Sequence, residues 1–198
     1  MHKLNTMNAP SIYYSIILPT YNEAKNIEHV VEEMETFFKQ KEKPFEIIIV
    51  DDTSTDGTDT VVKEMQKRFH NIVLLDHSPK EGIGKALARG YNAAHGEWLL
   101  SMDADRAFHI RETNRLLEQA EQGFDFVVGS KYLSSSNYIK DSFSSVLKSK
   151  ISQYGNAYIS LVTRLSLRDF SMNFRLLRKS VWQNISPKDN ENFFLVEM

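Results

Sequence analysis

The chain has 198 residues, a formal net charge of −2 and a sequence pI near 6.3. This length allows one substantial hydrophobic core, and the near-neutral charge argues against nucleic acid as the main partner because no basic field would attract a polyanion. The absence of cysteine excludes disulfides, thiolate nucleophiles and cysteine-based zinc sites.

The first residues carry no sign of a targeting or membrane segment. Residues 1–10 lack the apolar stretch of a secretion signal, so we expect a flexible leader followed by one domain over residues 11–198. No run reaches the roughly 18 to 20 apolar residues that span a bilayer. We therefore expect a cytoplasmic protein, whose contact with a membrane would be peripheral and at its cytoplasmic face.

Five apolar runs along the chain predict β-strands, at residues 12–18, 45–50, 71–75, 97–102 and 125–128. The second and the fifth are rich in Ile, Val and Phe without strict alternation, which is typical of strands that are covered on both faces.

Helical periodicity fills the intervals between these runs. The predicted helices are one with apolar positions between Ile27 and Phe38, one over residues 60–69 with Asp59 as its N-cap, one over residues 84–94 with Gly96 as its stop, and one over residues 111–122 ending before Gly123. Strand and helix alternating in this way predict an α/β fold, with a Rossmann-like, mainly parallel sheet flanked by helices and joined by right-handed crossovers.

The character of the chain changes after Tyr132. A polar run over residues 134–137 is followed by apolar residues at helical spacing over residues 144–165, with Lys148 among them. Such a basic, apolar helix either lies on a lipid surface or packs against the sheet with its lysines in solvent, and we favour packing.

Two carboxylates follow the fourth predicted strand, Asp103 and Asp105. At the end of a strand they can point toward one divalent cation, and hard oxygen ligands suit Mg²⁺ or Mn²⁺ held partly by substrate phosphates. The alternative is that both are solvated turn residues.

Two other predicted strands end in polar loops, one containing Tyr21 and Glu23 and one containing Asp51 and Asp52. Ligands of parallel sheets bind at the carboxyl ends of the strands, so the three loops can converge on one crevice. An aromatic ring, several carboxylates and a cation site match the needs of a nucleoside diphosphate. Alternatively, the Asp51 and Asp52 carboxylates only stabilise a turn and Tyr21 is a packing residue.

The glycines Gly82 and Gly84 resemble part of a phosphate-binding loop. Ala86 stands where a P-loop needs Ser or Thr, and the third glycine of a dinucleotide-binding fingerprint is missing. We exclude a P-loop ATPase and an NAD-binding domain, and expect the glycines to shape a turn into the third helix.

Five motifs in this order and spacing resemble family 2 glycosyltransferases of the GT-A fold. They are residues 16–23 (IILPTYNE), 50–58 (VDDTSTDGT), 82–86 (GIGKA), 102–105 (MDAD) and 129–132 (GSKY). Residues 169–179 (DFSMNFRLLRK) resemble the segment that follows the acceptor helices in dolichyl-phosphate mannosyltransferases and their bacterial polyprenyl-phosphate relatives. The resemblance covers about residues 12 to 198.

The resemblance implies a nucleotide-sugar-binding part over residues 11–131 and a shortened, helical acceptor-side part over residues 132–198. The donor-binding residues that it implies are Pro19, Thr20, Tyr21, Glu23, Val50, Asp52, Asp103, Ala104 and Asp105. Asp105, together with Asp103, would bind Mg²⁺ or Mn²⁺. Basic residues implied near the acceptor and the phosphates are Lys131, Lys148 and Arg175.

The implied reaction is an inverting transfer of a sugar from a nucleoside-diphosphate sugar to a polyprenyl or dolichyl phosphate, with Asp105 as a catalytic residue. If the acceptor is instead a hydroxyl group, a carboxylate must take its proton, and Asp169 is the candidate by position. A non-catalytic nucleotide-sugar-binding module is the third possibility. A sugar nucleotidyltransferase would need a glycine-rich basic loop near the N-terminus, which residues 18–21 do not form.

Three positions depart from the pattern of the family. Ala107 replaces a Gln or Ser that assists the cation, Lys131 replaces an arginine, and Asn173 replaces a glycine. The chain also ends at Met198, where the dolichyl-phosphate branch usually continues.

Overall fold

The computed structural model describes residues 11–76, 79–105, 109–130, 154, 156, 160–161, 169 and 172–185. The elements in chain order are β1 (Tyr14–Thr20), α1 (Ile27–Lys39), β2 (Phe45–Asp51), α2 (Thr58–Arg68), β3 (Ile72–Asp76), α3 (Ile83–Ala93), β4 (Trp98–Ser101), a 3₁₀ turn (Ile110–Glu112), α4 (Thr113–Glu121), β5 (Phe126–Val128), β6 (Arg175–Arg178) and α5 (Lys179–Asn184). Residues 154, 156, 160 and 161 are also helical. Among the described residues, no helix is both long and apolar enough to cross a membrane.

The strands form one six-stranded sheet in the order β3-β2-β1-β4-β6-β5. The first four are parallel, whereas β6 runs antiparallel to both β4 and β5. The predicted α/β class and mainly parallel sheet are confirmed. The sequence did not predict β6, because Arg-Leu-Leu-Arg is too short to show a strand periodicity.

Successive residues of the central strands point into two different cores. Ile16 and Leu18 of β1 pack with α1, α2 and α4, whereas Ile17 packs with α3 and with Trp182 of α5. All three are fully buried, as expected for a sheet that is covered on both faces. The two helical layers therefore leave the ends of the strands as the open part of the sheet.

Helix α2 begins two residues earlier than predicted, at Thr58. Its N-cap is Gly57, with φ 92°, and Asp59 lies within the first turn, where its carboxylate pairs with Lys63 at 2.7 Å. The prediction of Asp59 as the cap was wrong, because the helix already begins at Thr58 and the Asp59 carboxylate forms an ion pair along the helix.

Gly96 is not the stop of α3, since the helix ends at Ala93 and its C-cap is Ala94. The backbone N–H of Gly96 donates to Ser15 Oγ at 2.8 Å, and a Cβ at this position would lie 2.6 Å from the Ser15 backbone nitrogen. The glycine is needed for close contact with β1.

Other element boundaries also differ from the predictions. Strand β1 lies two residues later than expected, and the beginning of the fourth predicted helix is the separate 3₁₀ turn, with α4 starting at Thr113. Gly123 follows α4 as predicted, with φ 98°. These shifts leave the order of strands and helices unchanged.

The direction of the strand order reverses between β1 and β4, because β2 and β3 lie on one side of β1 and β4 on the other. In open α/β sheets, ligands bind at such a switch point, outside the carboxyl ends of the strands. The loops after β1, β2 and β4 are therefore the first place to look for a site.

Candidate functional site

A cavity of about 370 Å³ lies at the carboxyl ends of β1, β2 and β4. It is lined by Pro19, Thr20, Tyr21, Glu23, Asp52, Lys80, Gly82, Ile83, Ala86, Asp103, Ala104 and Asp105. Every residue that the sequence implied for donor binding is among them except Val50. The three polar loops thus meet around one space, as the sequence analysis expected.

Hydrogen bonds tie the loop after β1 to the loop after β2. The backbone N–H of Asn22 donates to Ser54 Oγ at 2.8 Å, and the Asn22 amide oxygen accepts the backbone N–H of Thr55 at 2.9 Å. The backbone N–H of Glu23 donates to Thr58 Oγ1 at 2.9 Å. Because each loop satisfies polar groups of the other, the cavity wall that carries Tyr21 and Glu23 has a defined geometry.

The neighbouring carboxylates of Asp51 and Asp52 have different partners. Asp51 accepts the backbone N–H of Ser54 at 3.0 Å and the hydroxyl of Thr20 at 3.0 Å, so its carboxylate stabilises the turn. Asp52 accepts the backbone N–H groups of Glu81 at 2.8 Å and Gly82 at 2.9 Å. The Asp52 side chain therefore fastens the loop before α3 to the end of β2.

Gly82 turns the chain into α3 with φ 89°, a conformation that residues with a side chain rarely adopt. Its carbonyl accepts the N–H of Ala86 at 3.1 Å. The glycine thus shapes the turn into the third helix, as the sequence analysis expected, and Ile83 places an exposed apolar side chain on the cavity.

Tyr21 presents its ring at the open side of the cavity and is 45% exposed. The Lys80 ammonium lies 3.2 Å from the centroid of this ring, within the range of a cation–π interaction. The exposed ring disfavours the alternative that Tyr21 is a packing residue. An aromatic face of this kind is suited to stacking against a planar base.

Besides Asp52, three carboxylates line the cavity, those of Glu23, Asp103 and Asp105. Burial raises the pKa of Asp103, and the negative charges of Asp105 and Glu23 raise it further, whereas a hydrogen bond from Asn173 lowers it. That hydrogen bond runs from Asn173 Nδ2 to Asp103 Oδ1 at 2.8 Å. The raised pKa therefore reflects first the burial of this carboxylate and second its proximity to two other acidic groups.

The carboxylates of Asp103 and Asp105 fit a cation that takes its remaining ligands from substrate phosphates and water. No group of three or more acidic or histidine side chains within the described ranges could hold a metal by itself. Mg²⁺ commonly uses one or two carboxylates plus substrate phosphates and water, and a cation between Asp103 and Asp105 would relieve their repulsion. These two residues are therefore the ones that would hold Mg²⁺ or Mn²⁺.

Val50 lies in the core behind the cavity and is fully buried. Its carbonyl oxygen accepts the Thr20 hydroxyl at 3.4 Å, so Val50 contacts the cavity lining through its backbone.

Two further predicted residues are buried outside the cavity lining. Asp169 is 1% exposed and accepts a hydrogen bond from Asn156 Nδ2 at 3.5 Å. Arg175 is 2% exposed and donates from Nε to the Met172 carbonyl at 2.6 Å. Burial lowers the pKa of the Arg175 guanidinium. The predicted Lys131 and Lys148 lie outside the described residues.

The sequence analysis missed Lys80 and did not assign a role to Asn173. Lys80 precedes the turn at Gly82. A basic residue beside a glycine turn was the signal that could have identified Lys80 as a site residue. Asn173 was noted only as a departure from the family, and its contact with Asp103 spans 70 residues of sequence. No local pattern could indicate a contact over that separation.

The sequence is similar to curated proteins that transfer sugars to lipid phosphates. It is 27% identical over 168 residues to an undecaprenyl-phosphate 4-deoxy-4-formamido-L-arabinose transferase of Photorhabdus laumondii, covering 84% of this chain and 49% of that protein. It is also 27% identical over 174 residues to a dolichol-phosphate mannosyltransferase of Pyrococcus furiosus, covering 86% and 47%. The chain thus spans about half the length of these relatives.

Among solved structures, a glucosyl-3-phosphoglycerate synthase from Mycobacterium tuberculosis in complex with Mn²⁺, UDP and glucosyl-3-phosphoglycerate matches with a TM-score of 0.63. The identity is 16%, and the match covers 86% of this chain and 58% of that one. This likeness concerns the fold, which is the GT-A fold. Residues 15–185 match the model of Glycosyl transferase family 2, and the chain therefore belongs to this family.

Proposed function

We propose that this protein transfers a sugar from a nucleoside-diphosphate sugar to a lipid phosphate, with inversion at the anomeric carbon. The observation that carries the proposal is the meeting of Tyr21, Asp52 and the Asp103–Asp105 pair around one cavity of about 370 Å³. An aromatic face, a fixed loop and a pair of carboxylates match the base, the ribose and the diphosphate of such a donor. Relatives that carry the same family fold are named as sugar transferases.

The donor would lie with its base against Tyr21 and its diphosphate toward Asp103 and Asp105. The acceptor oxygen attacks the anomeric carbon from the face opposite the nucleotide, and the bond from that carbon to the diphosphate oxygen breaks. A divalent cation bound at the two carboxylates would stabilise the negative charge of the leaving diphosphate. A solved structure with the same fold, the M. tuberculosis glucosyl-3-phosphoglycerate synthase, contains Mn²⁺ and UDP.

A phosphate acceptor is favoured over a hydroxyl acceptor by the position of Asp169. A phosphate oxygen is already ionised and needs no general base, whereas a hydroxyl group does. Asp169 is buried and does not line the cavity. The printed names of the relatives, which are an undecaprenyl-phosphate transferase and a dolichol-phosphate mannosyltransferase, support the same acceptor class.

The acceptor-side segment also offers apolar surface for a lipid. Tyr154 and Leu161 are helical, lie seven residues apart and are 77% and 78% exposed. Exposed apolar side chains of this kind are suited to a lipid surface, so a peripheral contact with a membrane is part of the proposal. We infer that the protein is cytoplasmic and works at the cytoplasmic face of that membrane.

Binding of the nucleotide donor is tested by thermal unfolding with UDP and with GDP. Each nucleotide is measured once with Mn²⁺ and once with a chelator. A ligand that binds the folded protein raises the melting temperature, and we expect one of the two nucleotides to do so with Mn²⁺. Asp105→Ala should abolish this shift, while Glu33→Ala, on the outer side of α1, should keep it. Absence of a shift with both nucleotides would contradict the proposal.

The acceptor part is tested by transfer of labelled sugar to undecaprenyl phosphate in detergent, with Asp105→Ala and Asp169→Asn compared. Asp105→Ala should abolish transfer, whereas Asp169→Asn should retain most of it because a phosphate needs no base. Wild-type transfer to a hydroxyl acceptor but not to undecaprenyl phosphate, together with a severe effect of Asp169→Asn on that transfer, would favour a hydroxyl acceptor. Donor binding without transfer to any acceptor would support a non-catalytic binding module.

A further inference from the structure

Asn173 is a buried residue in contact with the candidate site, although it does not line the cavity. It lies two residues before β6 and is 2% exposed. Its amide nitrogen Nδ2 donates to Asp103 Oδ1 at 2.8 Å. The Asn173 amide approaches Asp103 from the antiparallel part of the sheet. The motifs implied to bind the nucleotide sugar do not include this part.

A chain of buried hydrogen bonds holds the Asn173 backbone in place. The Tyr91 hydroxyl donates to Ser101 Oγ at 2.7 Å, and Ser101 Oγ donates to the Asn173 carbonyl at 2.7 Å. Burial raises the pKa of Tyr91 to about 12, so the Tyr91 hydroxyl keeps its proton. The Asn173 carbonyl can only accept, so Ser101 must donate to it and Tyr91 to Ser101, which fixes the direction of both hydrogen bonds from α3 through β4 to Asn173.

The orientation of the Asn173 amide follows from its partner. An ionised carboxylate only accepts hydrogen bonds, so the NH₂ side of the amide must face Asp103. The amide oxygen Oδ1 then lies buried without a hydrogen bond from the described residues. A buried polar atom that is left unsatisfied destabilises the fold, and packing alone therefore gives no reason for an amide here.

We propose that Asn173 is a positioning residue, which holds the Asp103 carboxylate so that it acts with Asp105 on the cation and diphosphate of the donor. Its hydrogen bond occupies one carboxylate oxygen and leaves the other for the ligand. It also offsets part of the repulsion from Asp105 and Glu23, which face the same cavity. This inference rests on the proposed function, and it concerns an asparagine that stands where the resembled family usually has glycine.

The test compares Asn173→Ala, which removes the amide, with Asn173→Leu, which removes it but keeps the shape of the side chain. The matched control is Asn114→Ala, because the Asn114 amide oxygen accepts a hydrogen bond from Lys41 Nζ at 2.7 Å outside this cavity. Each variant is titrated with Mn²⁺ in the presence of saturating UDP or GDP, whichever binds the wild type. The melting temperature without ligand is recorded for each.

We expect both Asn173 variants to raise the Mn²⁺ concentration for half-maximal nucleotide binding by about tenfold, the effect of losing a hydrogen bond to a charged group. Asn114→Ala should leave this midpoint unchanged. A merely structural Asn173 would lower the melting temperature without ligand and leave the Mn²⁺ midpoint where it is, which would overturn the inference.

The remaining outcomes separate this inference from the proposed function. Nucleotide binding that needs no divalent cation would overturn the role of Asn173 and leave donor binding intact. Failure of the wild type to bind either nucleotide would overturn both. If Asn173→Ala does not fold, the midpoint measured with Asn173→Leu decides alone.

Discussion

A groove between α1 and the start of α4 has a volume of about 640 Å³, compared with about 370 Å³ for the cavity at the strand ends. In the groove, polar side chains pair with other exposed or half-buried side chains, as His29 does with Glu33 at 3.3 Å and Lys41 with Asn114 at 2.7 Å. At the strand ends, the buried Asp52 carboxylate holds backbone N–H groups instead.

This difference explains why the smaller cavity is the better candidate. Exposed pairs on helices contribute little to stability and can rearrange in solvent. Carboxylates that hold backbone N–H groups at the ends of strands give a cavity of fixed shape with acidic walls, and selective binding needs such a fixed shape. Chemistry and placement in the fold, rather than volume, identify the site.

Apart from the loss of Asp105, the largest effect is expected from Asp52→Ala. It would remove the acceptor of two backbone N–H groups, at a cost of about 2 to 4 kcal/mol in the free energy of unfolding, and would release the loop that carries Lys80. Nucleotide binding should fall by roughly 100-fold or more, since that loop forms one wall of the cavity. Urea unfolding and calorimetric titration measure the two effects, and unchanged binding would show that the loop is not part of the site.

Tyr21→Ala should come next. Loss of a stacking face costs about 1 to 3 kcal/mol per base, so nucleotide affinity should fall at least about fivefold. Tyr21→Phe keeps the ring and should bind like the wild type. Equal losses in both variants would assign the effect to the hydroxyl group and contradict a stacking role.

Asp103→Asn should stabilise the protein without ligand while it weakens Mn²⁺-dependent binding. The pKa of Asp103 is raised in the folded state, mainly by burial, so the folded protein holds this proton more tightly than the unfolded chain. The carboxyl therefore destabilises the fold increasingly as pH rises through its ordinary pKa of 3.8 toward the raised value.

The variant lacks this charge, so its advantage in unfolding free energy should be full at pH 7 and should shrink as the wild-type carboxyl becomes protonated at low pH. Urea unfolding at pH 7 and at pH 3.5 checks this expectation. An Asn variant that is less stable than the wild type at pH 7 would show that the Asp103 charge is well satisfied, and the contrast between the two cavities would weaken.

The smallest effect is expected in the groove. Lys41→Ala removes the hydrogen bond to Asn114 and the approach of its ammonium to the Phe37 ring at 4.9 Å, so unfolding free energy should fall by about 1 kcal/mol or less. Nucleotide binding should not change. A loss of binding in this variant would link the groove to the site and break the comparison.

Much of the parallel half of the sheet could be predicted from the sequence. Strand β2 and the helices that cover it carry apolar residues at spacings that depend only on local geometry, and those spacings survive in the fold. Helix ends were less predictable, since Gly57 rather than Asp59 caps α2 and either residue type fits such a position. Strand β6 was missed because its pairing with β4 and β5, not its own four residues, makes it a strand.

The sequence by itself determined that acidic and aromatic residues follow buried strands, and a parallel sheet must then gather those residues at one edge. Only the tertiary structure decided that Asp51 stabilises a turn while Asp52 holds the α3 loop, and that Asn173 reaches Asp103 across 70 residues. The physical reason is the sequence separation over which each signal acts. Hydrophobic periodicity is set by neighbouring residues and can be seen in the sequence, whereas the partner of a hydrogen bond depends on how distant segments pack.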